Sequence, residues 1–225
     1  MIIGNGMIAK VFKEHFHKEN VLIFASGVSN SRETRNSEFI KELNMVRESI
    51  VNFPDLLFVY FSSCSIHNGN TMYSDHKISV ENFIIENSKN YLILRLPIVL
   101  GKNQNKNQLI GYLFDKLYKN ELVEVYKNAN RYIIDSFDLP RIVDLLIDKG
   151  ISKQILEVAF NNSLLIEEII LIIERISNIK FEVCYSEINS PYRVDNKRFL
   201  SLFNLDELKG FNLNLESMLL KYFIS

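Results

Sequence analysis

A run of six apolar residues, Leu56 to Phe61, does most to limit the folds open to this chain. Because it lacks the alternation of a strand with one wet face, it predicts a strand buried on both faces, as in a parallel α/β sheet. Ser62 and Ser63 follow, at the end of the strand where open α/β sheets hold ligands. Tyr73 and Lys77 come next, four residues apart and therefore on one face of the predicted helix. The sequence thus predicts a polar site at the carboxyl end of a buried strand.

The Tyr73–Lys77 pair suits acid–base chemistry. A phenol is a weak acid near neutral pH, and a neighbouring ammonium favours its phenolate form. The spacing alone is a weak signal, because Tyr112 and Lys116 share it in a segment, Leu109 to Lys119, that has the pattern of an ordinary amphipathic helix. The strand and the serines ahead of Tyr73 distinguish the first pair.

Composition narrows the class of protein. The 225 residues are 47% hydrophobic, enough for the core of one compact unit or of a domain with a smaller lobe. A net charge of −1 offers no broad basic surface to nucleic acid or anionic lipid. The longest apolar stretch, Leu164 to Ile176, is interrupted by glutamates, and no signal peptide precedes the first strand. Two distant cysteines and four scattered histidines predict neither a disulfide framework nor a metal site. We therefore expect a cytoplasmic protein that binds no membrane, nucleic acid or metal.

The chain begins with a glycine turn typical of dinucleotide binding. Residues 1–3 predict a short strand, and the sequence Gly4-Asn5-Gly6-Met7-Ile8-Ala9 leads from it into a helix. Gly4 permits the tight turn, Gly6 lets backbone approach a pyrophosphate, and the helix N-terminus favours the phosphate charge. A glycine turn without a ligand is the alternative interpretation.

With this turn, with Ser63, Tyr73 and Lys77, and with the strand ending Arg95-Leu96-Pro97, the chain resembles the extended short-chain dehydrogenase/reductases, in particular the branch that modifies nucleotide sugars. The resemblance covers nearly the whole chain. It implies an α/β fold, a reduced Rossmann-type doubly wound parallel sheet with a small C-terminal α/β substrate lobe. We expect the cofactor-binding domain in residues 1–101, joined by a strand and helix in 131–160. The substrate lobe is expected in residues 102–130 and 161–225.

One part of the family fold is missing. The resemblance matches the strand Val21 to Phe24 with the family's fourth strand, yet between Gly6 and Val21 there is room for one helix only. About two βα units, roughly 60 residues at ~30 residues a unit, are therefore absent. In the family those units receive adenosine and carry the acidic residue that binds its ribose. No Asp or Glu takes that place here.

The resemblance also implies site residues. It makes Tyr73 the proton donor, Lys77 the group that favours phenolate and holds the nicotinamide ribose, and Ser63 the hydroxyl that polarises the carbonyl. Asn44 falls where the family has an Asn that steadies the lysine through a water. The residues implied in cofactor binding are Gly4, Asn5, Gly6, Met7, Ile8, Ala25, Ser26, Gly27, Tyr73, Lys77, Leu96, Arg32 and Arg35. Those implied in substrate binding are Ser63, Tyr73 and Arg131.

The serines beside Ser63 compete with it for the catalytic role. We expect Ser62 and Ser65 to face the side opposite to Ser63. The match to the family's Ser/Thr favours Ser63.

Three arginines are expected to meet phosphates. Arg131 resembles the family's arginine at the substrate diphosphate, which a planar guanidinium suits. A surface arginine that caps a strand is the alternative. Arg32 and Arg35 lie near where an adenosine 2′-phosphate would emerge, and they shift the expected cofactor from NAD toward NADP. Solvated loop charges are the alternative for both.

The resemblance implies NAD(P)H-dependent reduction of a nucleotide-linked 4-keto sugar, with Tyr73 as proton donor. A nucleotide-sugar epimerase and a non-catalytic, degenerate nucleotide or sugar-nucleotide binder are the alternatives. Dehydration is disfavoured, because Cys64-Ser65 stands where the family's dehydratases have an acid pair. A homodimer is expected through the helix Ser37 to Val51 and the helix after Tyr73. The apolar residues expected at that contact are Phe39, Leu43, Val46, Ile50, Val80, Phe83 and Ile84.

Overall fold

A computed structural model of the chain describes residues 1–67, 71–102, 108–160 and 163–224. The helices are α1 (Met7–His15), α2 (Asn36–Asn52), α3 (Met72–Asn87), α4 (Leu109–Lys119), α5 (Leu139–Asp148), α6 (Ile166–Ser177), α7 (Lys197–Leu200), α8 (Leu205–Lys209) and α9 (Leu215–Leu219). The strands are β1 (Ile2–Ile3), β2 (Val21–Phe24), β3 (Leu57–Ser63), β4 (Tyr91–Leu96), β5 (Ile98–Leu100), β6 (Val123–Lys127), β7 (Asn130–Arg131), β8 (Ile133–Asp135), β9 (Gln154–Glu157), β10 (Leu164–Leu165) and β11 (Val183–Asn189). A 3-10 turn, Cys64–His67, follows β3 directly.

The central sheet has five parallel strands in the order β1-β2-β3-β4-β9. Every residue of β2 is buried, and so is every residue of β3 except its last. This burial explains the unbroken apolar run from which a parallel strand was predicted. Since the strands are parallel, their carboxyl ends lie at one edge of the sheet, and Ser63 ends β3 there.

Helices cover both faces of this sheet, and the predicted Rossmann-type α/β fold is confirmed. On one face α1 and α5 pack against alternate residues of β2, including Val21 and Ile23. On the other face α2 and α3 pack against Leu22 and Phe24. The apolar stripes of α2 and α3 are thereby used inside the chain. Four of the residues expected at a dimer contact are buried in this core: Val46, Ile50, Val80 and Ile84.

The strand order shows where the fold is reduced. The chain between Gly4 and Val21 forms the single helix α1, and β1 lies at the edge of the sheet with β2 as its one neighbour. The path from β1 to β2 runs in the same sense as that from β2 to β3, but α1 and α2 lie on opposite faces. The two crossovers therefore have opposite hands, and one of them is of the rare left-handed type. If α1 led to a strand on the outer side of β1, the crossover through α1 would have the same hand as the crossover through α2. The opposite hands seen here are therefore expected of a sheet that has lost its outer units.

A second apolar cluster lies beside the sheet. It is built from α4, α6 and α9 with β6, and includes Ile110, Ile169 and Met218. The pair β6–β11 is parallel, and the pair β7–β10 is antiparallel. Phe199, Phe203 and Phe211 pack against the sheet core rather than into this second cluster. No helix in the described part of the chain is long and apolar enough to span a membrane.

Candidate active site

A cleft of about 2210 Å³ opens at the carboxyl edge of the sheet, between the sheet and the second apolar cluster. Of the predicted cofactor residues, 5–8 and 25–27 line it, together with Arg32 and Leu96. Ser63, Tyr73, Lys77 and Arg131 line it as well. The fold thus brings residues from widely separated parts of the chain into one cavity.

The glycine turn has the geometry expected of a phosphate site. Gly4 has φ +126°, and a Cβ there would lie 2.2 Å from the carbonyl oxygen of Ala25, so only glycine fits. Gly6 is the N-cap of α1, makes no side-chain cap hydrogen bond, and has open space where a Cβ would stand. Lys13 Nζ donates to Gly4 O at 2.9 Å and to Asn5 Oδ1 at 3.0 Å, which holds the turn. The first N–H groups of α1 are therefore available to an anion.

Two serine hydroxyls, not one, face the cleft. Ser63 Oγ and Ser65 Oγ are 2.8 Å apart, and the Ser65 backbone N–H donates to Ser63 Oγ at 3.2 Å. The prediction that Ser65 faces away is wrong, because side chains alternate along an extended segment and residues two apart share a side, so that only Ser62 would face away. The 3-10 turn that begins at Cys64 keeps the two hydroxyls together. Ser62 does point the other way and donates to the buried carboxylate of Glu81.

Glu81 belongs to a buried ion network beneath the serines. Arg95 on β4 donates to both carboxylate oxygens of Glu81, at 2.7 and 3.1 Å. The same guanidinium contacts Glu157 at the end of β9, at 3.3 Å. His67 Nε2 lies 2.5 Å from the same Glu157 oxygen, Oε1, that Arg95 contacts. The network ties α3 to neighbouring strands at the floor of the cleft.

Tyr73 lies in the first turn of α3. The helix starts with a reciprocal cap, in which Thr71 Oγ1 accepts from the Ser74 N–H at 3.1 Å and Ser74 Oγ accepts from the Thr71 N–H at 3.0 Å. Tyr73 is 6% exposed, and Lys77 Nζ lies 5.7 Å from the centre of its ring. Among the described residues none hydrogen-bonds the Tyr73 hydroxyl, so it remains available to a ligand in the cleft.

Lys77 is held by a buried carboxylate that the sequence analysis did not identify. Its Nζ donates to Glu42 Oε1 at 2.8 Å and to the Tyr60 hydroxyl at 3.0 Å. The other oxygen of Glu42 lies 3.0 Å from His76 Nε2 and accepts from the Val28 N–H at 2.8 Å. Burial opposes ionisation of Glu42, but the Lys77 charge and the hydrogen bonds from His76, Lys77 and Tyr60 outweigh it and lower the pKa of Glu42 to about 2.

Asn44 does not have the predicted role. It is exposed on α2, whereas Glu42, two residues away and thus on the opposite side of the helix, contacts Lys77. Gly27 packs directly on this ion pair, since a Cβ there would lie 2.8 Å from both Glu42 Oε1 and Lys77 Nζ. The loop after β2 therefore lines the site, and the missing side chain of Gly27 leaves room for the Lys77–Glu42 pair.

Arg131, on β7, is a further cation that lines the cleft. Its guanidinium stacks 5.3 Å from the centre of the Tyr192 ring, and Nη1 donates to Asn130 O at 2.7 Å. Asn130 holds the Tyr192 backbone through two hydrogen bonds, at 2.8 and 3.2 Å. Burial lowers the pKa of Arg131, and no carboxylate in the described part of the chain pairs with it. The arrangement leaves a cation for an anionic ligand group.

Arg35 is already engaged, contrary to its expected role at a cofactor phosphate. It donates to both oxygens of Glu33, at 2.7 and 2.9 Å. The hydrogen bonds from Arg35 are the main cause that lowers the pKa of Glu33 to about 2. Arg32 is exposed and lines the cleft without an ion pair to any described carboxylate. Of the two arginines, Arg32 alone remains a candidate for a phosphate.

Glu42, Tyr60 and Tyr192 are the site residues that the sequence analysis missed. Glu42 had a signal: it interrupts the apolar stripe of α2 between Phe39 and Val46, where a charge needs a buried partner. The sequence pattern does not distinguish Tyr60 from the other apolar residues of its strand. Tyr192 lies in an irregular segment, and no local pattern marks it.

Comparison with known proteins gives similar folds but no close relative. No protein-family model and no curated protein matches the chain. The solved structure of MoeE5 with UDP-glucuronic acid and NAD is 15% identical, with a TM-score of 0.68 over 97% of this chain and 83% of that one. A UDP-N-acetylglucosamine 4-epimerase from Methanobrevibacter ruminantium M1, in complex with UDP-N-acetylmuramic acid, is 17% identical, with a TM-score of 0.69 over 95% and 79%.

A third similar structure is a UDP-glucuronic acid 4-epimerase from Bacillus cereus in complex with NAD. It is 15% identical and has a TM-score of 0.71 over 96% of this chain and 75% of that chain. At such identities the likeness concerns the fold, and it extends over the sheet and the lobe together. The chain therefore shares the Rossmann-type α/β fold of these structures.

Proposed function

We propose that this protein is an NAD(P)H-dependent oxidoreductase that reduces a nucleotide-linked 4-keto sugar. The observation that carries the proposal is the single cleft, which joins the glycine turn, the Ser63–Tyr73–Lys77 group and Arg131. Its volume of about 2210 Å³ exceeds the roughly 300–1,000 Å³ of a pocket for one small ligand, so two ligands can bind side by side. The similar structures hold NAD or UDP-linked sugars.

The residues present fit a nicotinamide dinucleotide. The uncapped N-terminus of α1, with open space at Gly6, suits a pyrophosphate, and the residues that follow β2 line the path toward Tyr73. With Arg35 paired, a preference for NADP over NAD depends on Arg32. We assign the nucleotide sugar to the part of the cleft around Arg131, which would bind its diphosphate. The proposed enclosing lobe is formed by the described residues of 102–130 and 161–225, apart from Phe199, Phe203 and Phe211, which pack on the sheet core.

Each site residue then has a task. When bound, the reduced nicotinamide supplies the hydride. The Tyr73 hydroxyl donates its proton to the sugar carbonyl oxygen as that oxygen becomes negative. The Ser63 hydroxyl, oriented by Ser65, donates a hydrogen bond to the same oxygen. Lys77 has two of its three N–H groups fixed by Glu42 and Tyr60, and the third is left for a ribose hydroxyl.

An epimerase is the second candidate, because two of the similar structures are named 4-epimerases. An epimerase would interconvert two sugar nucleotides without net consumption of the cofactor. A reductase would consume NADH or NADPH in a fixed ratio to the 4-keto sugar. Binding of a sugar nucleotide without turnover by either route would support the non-catalytic alternative.

The test is a Tyr73→Phe substitution, assayed by loss of NADH or NADPH absorbance with a set of nucleotide 4-keto sugars. We expect the variant to fold, because the ring volume is kept, and turnover to be lost because the proton donor is gone. Tyr118→Phe is the matched control, since Tyr118 is 64% exposed and lies outside the cleft. Full activity of Tyr73→Phe would rule out the mechanism.

We further propose a homodimer that works in the cytoplasm. The helices named in the sequence analysis still support the contact, but through residues other than those expected. Ile40 and Val51 on α2 and Ile78 and Ile85 on α3 are 39–70% exposed. Neither Cys64 nor Cys184 forms a disulfide in the structure, as suits a reducing compartment.

A further inference from the structure

The glycine turn, where α1 begins, lies at the edge of the sheet. In the described chain β1 is the last strand on its side, and β2, β3, β4 and β9 all follow on the other side. A dinucleotide site has strands on both sides of such a turn, because the fold is built of two mononucleotide-binding halves. The described chain supplies one of these halves, the one in which β3 ends at Ser63 and Tyr73 lines the cleft.

This half carries groups that suit a nicotinamide riboside. Tyr73 is 6% exposed and lines the cleft, and no described residue hydrogen-bonds its hydroxyl. Two N–H groups of Lys77 are held by Glu42 and Tyr60, which leaves the third for a ribose hydroxyl. The polar groups open to a ligand are therefore on the side of the turn that faces the sheet.

Small residues occupy the place of the group that would bind adenosine ribose. A dinucleotide fold puts an Asp or Glu there, about 20 residues after the glycine turn and at the end of the next strand. Here Ala25-Ser26-Gly27 follows that strand and lines the cleft. The next carboxylate along the chain, Glu33, accepts from the Arg35 guanidinium with both oxygens. Asn30 Oδ1 accepts from the Arg32 N–H at 3.1 Å, so the polar acceptors of this loop are bonded within it.

The side chain of the turn is engaged as well. Asn5 Oδ1 accepts from Lys13 Nζ at 3.0 Å, and the same ammonium donates to Gly4 O at 2.9 Å. What the turn offers a ligand is its backbone N–H groups at the start of α1, which suit a phosphate. We propose that the site recognises a nicotinamide nucleotide through its nicotinamide riboside and phosphates, and that adenosine adds little to the affinity. The nature of the cofactor rests here on the proposed function.

The proposal gives the site a broad choice of nucleotide. Reduced nicotinamide mononucleotide binds almost as tightly as NADH, and hypoxanthine replaces adenine without loss. Arg32 is exposed and lines the cleft, where it can still meet a 2′-phosphate. An exposed contact of that kind contributes at most about fivefold to affinity, so NADPH exceeds NADH by no more than this.

The test is calorimetric titration of the protein with NADH, NADPH, reduced nicotinamide mononucleotide and reduced nicotinamide hypoxanthine dinucleotide. We expect NADH and the hypoxanthine dinucleotide to bind within about threefold of each other. The mononucleotide should bind within about tenfold of NADH, which corresponds to the loss of one charge-assisted phosphate contact. A mononucleotide that binds about a hundredfold more weakly than NADH would overturn the proposal. Displacement of NADH by an equal concentration of AMP would overturn it too.

Two variants show whether the mononucleotide uses the same turn. Gly6→Ala puts a methyl group where the phosphate is expected, and it should weaken NADH and the mononucleotide by the same factor, at least about tenfold. Lys10→Ala removes an exposed cation from the same helix and should match the wild type. If Gly6→Ala left the affinity for the mononucleotide unchanged, that ligand would bind elsewhere and the proposal would be wrong.

Activity separates this proposal from the proposed function. Nearly equal binding of NADH and the mononucleotide, without reduction of any nucleotide 4-keto sugar, would support the cofactor assignment and refute the reductase. Reduction with NADH, together with a mononucleotide that hardly binds, would keep the reductase and overturn the cofactor assignment. If none of the nucleotides bound, both would be wrong.

Discussion

At the scale of single residues, the two glycines of the first turn have separable tasks. Gly4 is required by the backbone, because it combines a positive φ with a carbonyl oxygen 2.2 Å from the position of a Cβ. Gly6 has an ordinary backbone conformation and open space around it. One position therefore serves the fold, and the other is free to serve a ligand.

Alanine at each glycine should separate these tasks. We expect Gly4→Ala to lose stability by at least about 1–3 kcal/mol from backbone strain. Gly6→Ala should cost less than about 1 kcal/mol, yet weaken NADH and NADPH binding at least about tenfold because its methyl stands where a pyrophosphate would lie. Thermal unfolding and calorimetric titration of both variants would measure this. Equal stability of the two variants would contradict it.

Most of the site residues could be predicted from the sequence, and there are physical reasons why the others could not. Ser63, Tyr73, Lys77 and Arg131 are in the cleft because each lies at a fixed place relative to a strand or helix that the pattern predicts. Asn44 failed because the position depends on helix phase, and a shift of two residues moves a side chain to the opposite face. Ser65 failed because residues two apart lie on the same side of an extended segment, so geometry gave no reason to expect its side chain opposite to that of Ser63.

At the scale of elements, α3 is bound to the sheet by charge as well as by apolar packing. Glu81 is 2% exposed and has Arg95 as its ion-pair partner. Ser62, Arg95 and Glu157 are register neighbours across β3, β4 and β9. The network therefore joins three strands and one helix directly below Ser63.

Loss of Arg95 should be costly, because it leaves the Glu81 charge buried without a partner. We expect Arg95→Met to lower the free energy of unfolding by about 3–5 kcal/mol. Lys89→Met, which breaks the exposed pair with Asp55, should change it by less than about 1 kcal/mol. Chemical denaturation would compare the two. A loss for Arg95→Met as small as that for Lys89→Met would refute the structural role.

The elements themselves were the most predictable part. The buried strands and the glycine turn follow from apolar runs and glycine positions, whereas the absence of two βα units is implied by the family resemblance. The opposite hand of the first crossover could not be predicted, because it depends on which face of the sheet α1 covers, and α1 is amphipathic in either arrangement.

At the scale of the whole molecule, the outer surface of α2 and α3 is where we propose that a second copy binds. Their inner apolar residues pack against the sheet, whereas the exposed isoleucines do not contribute to the core of the monomer. We expect the wild type to be a dimer by light scattering at micromolar concentration and Ile78→Glu to be a monomer. Leu205→Glu, at a 76% exposed position on α8, should remain a dimer. A monomeric wild type would exclude the proposal.

The edge position of β1 also has a consequence for local unfolding of the molecule. β1 has two residues and one neighbour, so the unit β1–α1 can detach at a lower free energy than the rest of the sheet. The amide hydrogens of Ile23 and Ala25, which donate to the carbonyls of Met1 and Ile3, report on that detachment. They should exchange with solvent faster than those of the β3–β4 ladder, and slow when a dinucleotide spans the glycine turn and the loop after β2. The bound cofactor would then hold β1 in the sheet, as the outer strands do in a complete sheet.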